Sequence, residues 1–123
     1  MHTLGVSLSR VAPGEVELEL PFRADLTQQH GFLHAGIVTA VIDSACGYAA
    51  LSLMEPGAAV LSVEFKINML APAEGTRFVA TGRVIKPGRT LMICTGELVS
   101  DRGVMVAALQ GTMMVVRREG MAD

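Results

Sequence analysis

Aromatic residues and long apolar runs are both scarce in this sequence. Tryptophan is absent, and four phenylalanines and one tyrosine supply the 4% aromatic content, which leaves a weakly aromatic core. No apolar run reaches the roughly 18 uninterrupted residues that a membrane-spanning helix needs. The first residues lack the basic start and apolar block of a signal peptide. We therefore expect no membrane association and, by default, a cytoplasmic location.

Cysteine, strong charge and cofactor motifs are also rare or missing. Cys46 and Cys94 fall in a predicted helix and a predicted strand, without CxxC or Cys/His ligand spacing, so we expect buried free thiols. The sequence has no phosphate loop, dinucleotide fingerprint or metal-ligand cluster, which predicts no metal and no cofactor. A formal net charge of -2 argues against nucleic acid as a partner.

The hydrophobic content is high enough for one domain. Half of the 123 residues, 50%, are hydrophobic, which suits a single compact unit with a sizeable core. No linker, repeat or low-complexity segment divides the chain. We therefore predict one domain over residues 1–123.

A long helix is predicted between His34 and Leu53. Its apolar residues recur at intervals of three and four, which is the helical repeat, and further apolar and small residues surround them. This pattern predicts a helix that is buried on most sides. A single carboxylate, Asp43, interrupts the run. The repeat consists of Ile37, Val38, Val41, Ile42, Ala45, Ala49 and Leu53.

Two features of this helix point to chemistry. The segment 34–36, His-Ala-Gly, opens the helix, where the first backbone N–H groups lack a helical partner and the macrodipole leaves partial positive charge. An anionic oxygen would be stabilised there. Thr39, Asp43 and Gly47 follow at four-residue spacing and share one stripe, on which Gly47 leaves space beside the acid. We expect the functional site to include this stripe and the helix N-terminus.

The spacing of these features also bears on assembly. Asp43 lies eight residues beyond Ala35, which corresponds to roughly 12 Å along a helix axis. One substrate carbonyl cannot contact both groups within a single chain. An antiparallel helix from a two-fold related copy would bring them together. If both groups act on one carbonyl, the active species is therefore a homodimer.

Strand patterns lie on both sides of the helix. Residues 14–20 alternate between apolar and glutamate side chains, which predicts a half-buried strand, with residues 4–10 as the candidate hairpin partner. Residues 22–33 keep no sustained period and are predicted to form a loop with a short helical turn at 25–29. Further strands are predicted at 61–69, 77–86, 90–100 and 104–116.

The later strands are joined by short turns. In residues 61–69 apolar side chains alternate with polar ones, and Gly111 in the last strand predicts a bulge or a close approach of two backbones. Short connections make an antiparallel meander the simplest topology. Together these elements predict an α+β protein, with an antiparallel sheet of about five or six strands wrapped around one long central helix.

This arrangement resembles the hotdog-fold acyl-CoA thioesterases of the phenylacetate-pathway (PaaI-like) type. The match covers about residues 28–117. That family has a Gln or Asn six residues before a His-Gly-Gly motif, an acid on the helix, and often a Ser or Thr on the next strand. The matching residues here are Gln28, His34, Ala35, Gly36, Asp43 and Ser62.

The resemblance implies hydrolysis of a small or medium acyl- or aryl-CoA thioester to the free acid and CoA. CoA enters as part of the substrate, and no other cofactor is implied. The Ala35 backbone N–H would polarise the thioester carbonyl with help from Gln28. Asp43 of the partner subunit would attack the carbonyl or activate water. Ala35 stands where the family usually has glycine, but a backbone donor does not depend on its side chain.

The resemblance also implies contacts with CoA and a higher assembly. The phosphates of CoA would lie near basic residues at a turn between later strands. The candidate basic residues are Lys86, Arg89, Arg117 and Arg118. Each of these is equally consistent with a solvated surface charge. Dimers would pair into a homotetramer.

Several of the site residues have an ordinary structural alternative. Asp43 would also fit as a hydrogen-bonded carboxylate inside an interface, and His34 fits a helix cap better than a base. Gln28 would also fit as a loop hydrogen-bonder, and Gln29 takes its place if the alignment shifts by one residue. Ser62 fits a structural or supporting role.

Two other functions are open at this point. A non-catalytic acyl-CoA-binding or regulatory module would use the same fold and pocket without releasing product. A hotdog hydratase or dehydratase would need an Asp/His pair, and no second His lies near Asp43 on the helix. Thioester hydrolysis is the preferred prediction.

Overall fold

The computed structural model describes residues 2–117, which form one long helix and a six-stranded antiparallel sheet. Two short 3-10 turns, His2–Leu4 and Ala24–Leu26, complete the regular structure. The remaining elements are β1 Ser7–Ala12, β2 Glu15–Pro21, α1 Ala35–Leu51, β3 Ala59–Met69, β4 Arg77–Lys86, β5 Leu91–Ser100 and β6 Met105–Val116.

These elements agree with the pattern of the sequence apart from small shifts at their ends. The strand predicted at 77–86 has the same bounds in the structure. The observed helix is one residue shorter than predicted at its start and two residues shorter at its end. The largest shift is at β1, which begins three residues later than predicted. Its alternation is weak, so the pattern alone did not determine its start.

The strand order corrects the predicted meander. The order in the sheet is β1-β2-β4-β5-β6-β3, with every neighbouring pair antiparallel. Only β4, β5 and β6 follow one another as a meander. Helix α1 carries the chain across the sheet from β2 to the far edge, where β3 pairs with β6, and β4 then returns to pair with β2. A simple meander is therefore wrong for β3.

The middle of α1 rests directly on the sheet over two glycines that face each other. Gly82 on β4 pairs with Gly96 on β5. A β-carbon on Gly82 would overlap the backbone of Ala45 and Cys46, and one on Gly96 would lie 2.6 Å from Ile42 Cγ2. A larger residue at Gly82 would lift the helix from the sheet, because the atoms in its way belong to the helix backbone, whereas one at Gly96 would displace the side chains of Ile42 and Cys46. This pair, the glycine seat, fixes the height of α1 above the strands.

The sheet side of α1 is buried, and its other side is open. Seven helix residues are buried in the core, whereas the exposed residues include Gly36, Tyr48 and Leu51. The predicted burial on most sides therefore applies to the sheet-facing part of the helix. The buried residues are Val38, Val41, Ile42, Ala45, Cys46, Ala49 and Ala50.

Strand β3 forms one edge of the sheet and contains a β-bulge. In its pairing with β6, Ser62 lies opposite Met113 and Glu64 lies opposite Thr112, so the residue between them, Val63, is left without a partner. Most of the strand is exposed, including Leu61 at 48%. The predicted simple alternation over 61–69 is therefore wrong at Val63, where the bulge changes the face on which successive side chains lie.

Candidate active site

The N-terminus of α1 presents one backbone donor that the rest of the described chain does not use. His34 caps the helix: its Nδ1 accepts a hydrogen bond from the Gly36 N–H at 2.8 Å, and its carbonyl accepts those of Ile37 and Val38. Within residues 2–117 the Ala35 N–H has no acceptor. Ala35 is exposed, so this N–H is available to a ligand oxygen at the positive end of the helix dipole.

The capping geometry also assigns a tautomer to His34. Because Nδ1 accepts a hydrogen bond, the ring proton of a neutral imidazole lies on Nε2. The ring nitrogen nearest the helix is therefore already engaged. In this structure His34 acts as a helix cap, which is its structural alternative to a catalytic role.

The loop before the helix holds Gln28 in one orientation. Its side-chain oxygen accepts hydrogen bonds from the backbone N–H groups of His30 and Phe32, while its backbone pairs with Phe32 and Gly31. Two donors on the oxygen direct the amide NH2 group away from the loop. In the described structure that NH2 group has no partner, so it can donate to a ligand.

Backbone hydrogen bonds attach this loop to the helix entrance. The His34 N–H donates to Leu26 O at 3.0 Å, and the Leu33 N–H donates to Ala73 O at 3.3 Å. Thr27 and Leu33 form an isolated antiparallel bridge. The Gln28 amide and the Ala35 N–H therefore belong to one well-connected segment. Neighbouring Gln29 is exposed and contacts only His30 through its side chain.

Asp43 lies on the half-buried side of α1 that faces β3. Its Oδ1 accepts a hydrogen bond of 2.8 Å from the hydroxyl of Ser62, which also lies 3.4 Å from the sulfur of buried Met113. The carboxylate has no cationic partner among the described residues. It keeps a second oxygen free for a proton or for a substrate carbon.

The other two residues of the stripe have separate roles. The Thr39 hydroxyl donates to Ala35 O at 2.8 Å and so closes the first turns of the helix. A β-carbon built on Gly47 would meet only Val60 Cγ1, at 3.9 Å. The predicted space beside Asp43 is therefore present, whereas Thr39 is engaged by the helix.

The structure does not bring all the predicted residues together in one chain. Asp43 and Ser62 form one group, and Gln28, Ala35 and His34 form another near the start of the helix. Eight residues of helix separate Ala35 from Asp43, which is roughly 12 Å along the axis. One substrate carbonyl could therefore not contact both groups within a single chain.

The predicted basic residues lie at a third place, near the C-terminal end of α1. Arg89 and Arg117 line a groove of about 470 Å³ between the residues that follow the helix and the turn from β4 to β5. Arg117 is paired with Glu55 there. Lys86 is exposed at the end of β4 and does not line the groove. Arg118 lies outside the described residues.

A larger apolar groove, between β1 and the second half of the helix, was not predicted from the sequence. Its volume is about 760 Å³, and its lining includes Leu8, Val11, Tyr48 and Leu51. The groove depends on how edge strand β1 lies against the helix, for which the sequence has no motif. Tyr48, the one tyrosine of the chain, is 45% exposed in this groove, and no prediction was made for it from the sequence.

The two cysteines are free and buried, as predicted. Burial raises the pKa of the Cys46 thiol to about 12 and that of the Cys94 thiol to about 11. Because thiols with such pKa values stay protonated at neutral pH, neither is a nucleophile. Residues 2–117 contain no group of three or more metal-ligating side chains placed to hold an ion.

No helix in the described part of the chain is both long and apolar enough to cross a membrane.

Comparisons with known proteins agree with the fold. The sequence pattern of the thioesterase superfamily matches residues 30–107, a range that contains the helix N-terminus, Asp43 and Ser62. Human acyl-coenzyme A thioesterase 13 is 33% identical over 94 residues, which cover 76% of this chain and 66% of that protein.

Solved structures are similar over almost the whole chain. A thioesterase family protein from Silicibacter pomeroyi has a TM-score of 0.93 and 53% identity, covering 96% of this chain and 89% of that one. The PaaI protein of the E. coli phenylacetic acid degradation operon shares the fold, with a TM-score of 0.87 and 22% identity over 94% of this chain and 82% of that one. These matches confirm the predicted hotdog fold and family: the chain belongs to the thioesterase superfamily.

Proposed function

We propose that this protein is an acyl-CoA thioesterase whose active sites form between two copies of the chain. The observation that supports this most directly is the pair of unused donors, the Ala35 N–H and the Gln28 amide, at the positive end of a helix. Acyl-transfer chemistry requires such donors where negative charge develops on a carbonyl oxygen. The Asp43 and Ser62 pair supplies the other requirement, a fixed carboxylate.

The proposed reaction uses each group once. The thioester carbonyl oxygen accepts hydrogen bonds from Ala35 and Gln28 of one subunit. Asp43 of the partner subunit takes a proton from water, whose oxygen bonds to the carbonyl carbon. Negative charge on the carbonyl oxygen is then stabilised by the helix terminus. Collapse breaks the carbon–sulfur bond, and the CoA thiolate leaves and takes up the proton.

A direct attack by Asp43 is the alternative first step. It would form an acyl anhydride on the carboxylate and release CoA before water enters. Single-turnover hydrolysis in 18O-labelled water separates the two routes, because only the anhydride route can place the label in the Asp43 side chain.

The exposed edge of β3 supports the homodimer. It is an eleven-residue strand whose outer backbone groups have no partner strand in the described chain, and its side chains include exposed Leu61, Val63 and Phe65. A long apolar edge of this kind is suited to pairing with another strand. Antiparallel pairing about a two-fold axis would bring Asp43 of one copy towards the helix N-terminus of the other.

Other surfaces support the remaining parts of the proposal. The apolar groove beside Tyr48 and Leu51 supports the pairing of dimers into a homotetramer, because apolar surface of this kind is usually covered. Arg89 is exposed beside the groove at the end of α1, where it is suited to the phosphates of CoA. We also propose a cytoplasmic location.

The donor role of Ala35 can be tested by deleting its N–H alone. Ala35 is the first residue of α1, where proline is well tolerated, and His34 before it already has the extended conformation that proline requires, with φ -64 and ψ 140. We expect Ala35→Pro to lower acyl-CoA turnover about 100- to 1,000-fold without lowering the melting temperature. Ala35→Gly keeps the N–H and serves as the matched control, with turnover close to that of the wild type.

The acid is tested by thiol release from aliphatic and aryl acyl-CoAs. Asp43→Asn keeps the size of the side chain but removes the proton acceptor, and we expect it to lower turnover about a hundred-fold or more. Full activity in a folded Asp43→Asn variant would refute this assignment. Saturable acyl-CoA binding without thiol release from the wild type would instead identify a non-catalytic binding module.

Mixed dimers test whether the site is shared. Refolding equal amounts of Ala35→Pro and Asp43→Asn chains together gives heterodimers in which one site is intact and the other has both defects. We expect about a quarter of wild-type turnover from this mixture, although each variant alone is nearly inactive. A mixture no more active than its components would mean that each site lies within one chain.

A further inference from the structure

We propose that Gly111 on β6 is a positioning residue for catalysis, because its missing side chain permits the β3 bulge that directs Ser62 towards Asp43. The inference rests on the proposed function. It concerns a residue that has no contact with the carboxylate and lies on a different strand from Ser62.

The backbones of β3 and β6 approach each other closely at Gly111. A β-carbon on Gly111 would lie 2.8 Å from Phe65 Cβ, 2.9 Å from Glu64 O and 3.4 Å from Phe65 Cα. These are atoms of the main chain or the first side-chain atom, which cannot rotate away. An alanine at this position would therefore force β3 to move.

The close approach lies next to the bulge. Gly111 pairs with Phe65, its neighbour Thr112 pairs with Glu64, and the next pair is Met113 with Ser62, so Val63 is the extra residue. The bulge is thus bounded on one side by the glycine contact. If Phe65 and Glu64 move, the preceding residues Val63 and Ser62 must move with them.

The bulge changes which side chains face the helix. Ser62 contacts Asp43 on α1 and Met113 in the core, so it lies on the inner side of the sheet. Phe65 lies on the same side, because its Cβ is the atom that a side chain on inward-facing Gly111 would meet. Residues three apart share a face only when a bulge lies between them. Without the bulge, the contacts of Ser62 and Phe65 would not both be on the inner side.

The bulge is also held from the outer side of the sheet. The Thr112 hydroxyl donates to the Glu64 carboxylate at 2.6 Å, directly beside Gly111. The pairing after the bulge is therefore fixed by a side-chain bond as well as by the glycine contact. Apart from Asp43, the Ser62 hydroxyl has only the weak acceptor sulfur of Met113 nearby among the described residues, so its aim at Asp43, at 2.8 Å, depends on where the bulge places it.

The experiment is a double-mutant cycle on turnover. Gly111→Ala and Ser62→Ala are each expected to lower kcat about ten-fold, with little change in KM, as expected for loss of one hydrogen bond to a charged group. Because both act through the same bond, Gly111→Ala should cause no further loss in a Ser62→Ala background. A general loss of stability would not produce this dependence.

Gly103→Ala is the matched control. Gly103 lies in the turn before β6 with φ +78, and a β-carbon there would meet no atom within 4 Å, so alanine strains the backbone without touching β3. We expect a lower melting temperature with unchanged kcat. If Gly111→Ala fails to fold, Thr112→Val tests the same link, because it removes the side-chain bond to Glu64 that holds the pairing after the bulge, with the same expected non-additivity towards Ser62→Ala.

Three outcomes would overturn the inference. Wild-type kcat in folded Gly111→Ala would do so, as would losses that multiply in the double variant. Failure of both Gly111→Ala and Thr112→Val to fold would make the bulge a requirement of the fold and not of the site. Asp43→Asn distinguishes these from failure of the proposed function, because an active Asp43→Asn variant would refute the function whatever Gly111 does.

Discussion

The two edges of the sheet differ in length and in chemistry. Edge strand β1 has six residues, and its Arg10 forms ion pairs with Glu15 and Glu17 on β2. Edge strand β3 has eleven residues and exposes a series of apolar side chains. Short, charged strands resist pairing with another chain, and long apolar ones favour it. The comparison indicates that the two edges face different environments in the working protein.

The bulges on the two edges make the same point. Each edge strand is irregular at one place, between Leu8 and Arg10 on β1 and between Ser62 and Glu64 on β3. A serine lies at or beside each bulge. Ser9 donates to the backbone carbonyl of Glu17, whereas Ser62 donates to the carboxylate of Asp43. The serine at the β1 bulge therefore makes a structural hydrogen bond within the sheet, whereas the serine beside the β3 bulge contacts the candidate active site.

The largest expected effect comes from placing a charge on each edge. Leu61 on β3 and Leu8 on β1 are exposed to a similar extent, 48% and 59%. We expect Leu61→Glu to produce monomers in sedimentation and to lower turnover by about a hundred-fold or more, because the proposed active site needs two chains. Leu8→Glu is the control and should remain at least a dimer, with turnover within about two-fold of the wild type.

Either of two results would break the comparison. A monomeric Leu61→Glu variant with full activity would show that one chain holds a complete site. A dimeric Leu61→Glu variant together with a monomeric Leu8→Glu variant would assign the dimer interface to β1.

A smaller effect is expected from the two serines. Ser62→Ala removes the bond to Asp43 and should lower kcat about ten-fold, which is the usual cost of losing one hydrogen bond to a charged group. Ser9→Ala removes a bond to an exposed backbone carbonyl, so kcat should not change. Equal kcat values for Ser62→Ala and Ser9→Ala, measured by thiol release, would show that the two bulges do not differ in their effect on turnover.

The smallest effect is expected from lowering the pH, which should weaken the ion pairs that hold β1 to β2. The hydrogen bond from Arg10, with further help from Arg83, holds the pKa of Glu15 below its ordinary value of 4.5. Since the folded-state pKa is lowered, this contribution to stability is complete above about pH 4.5 and is lost as the pH falls through the lowered pKa. We expect amide protection factors in β1 to fall as the pH drops through the lowered pKa of Glu15, while those in β6 persist.

Arg10→Gln supplies the control for the acid experiment. Without the guanidinium, β1 should already have its lower protection at neutral pH, and acid should change it less. If wild-type and Arg10→Gln protection fall equally with acid, the ion pair does not hold this edge.

Local features of the fold could be predicted well from the sequence. The helix, β4 and the turn positions follow from short-range periodicity and from glycine and proline. The position of β3 could not be predicted in this way, because its pairing with β6 depends on how the whole sheet closes over α1. The bulge at Val63 was missed for a related reason. The alternation of apolar and polar residues reflects only the sequence of β3, whereas the bulge depends on the contact of β3 with Gly111 on another strand.

The candidate site could be predicted in part. The helix N-terminus, Asp43 and their spacing follow from the helical repeat, and the hypothesis of a second chain rests on that spacing. The capping bond of His34 and the orientation of Gln28 depend on side-chain geometry in a loop without a period. Sequence also placed the basic residues at a turn, but it could not predict that Glu55 would pair with Arg117.

The glycine seat under α1 has a consequence for how this enzyme can change during evolution. At Gly82 the helix backbone and the sheet meet with no side chain between them, so a substitution there cannot move Asp43 by a small step. New acyl preferences must therefore arise elsewhere, on the open side of the helix and in the loop before it. The carboxylate stays in place while the surroundings of the substrate vary.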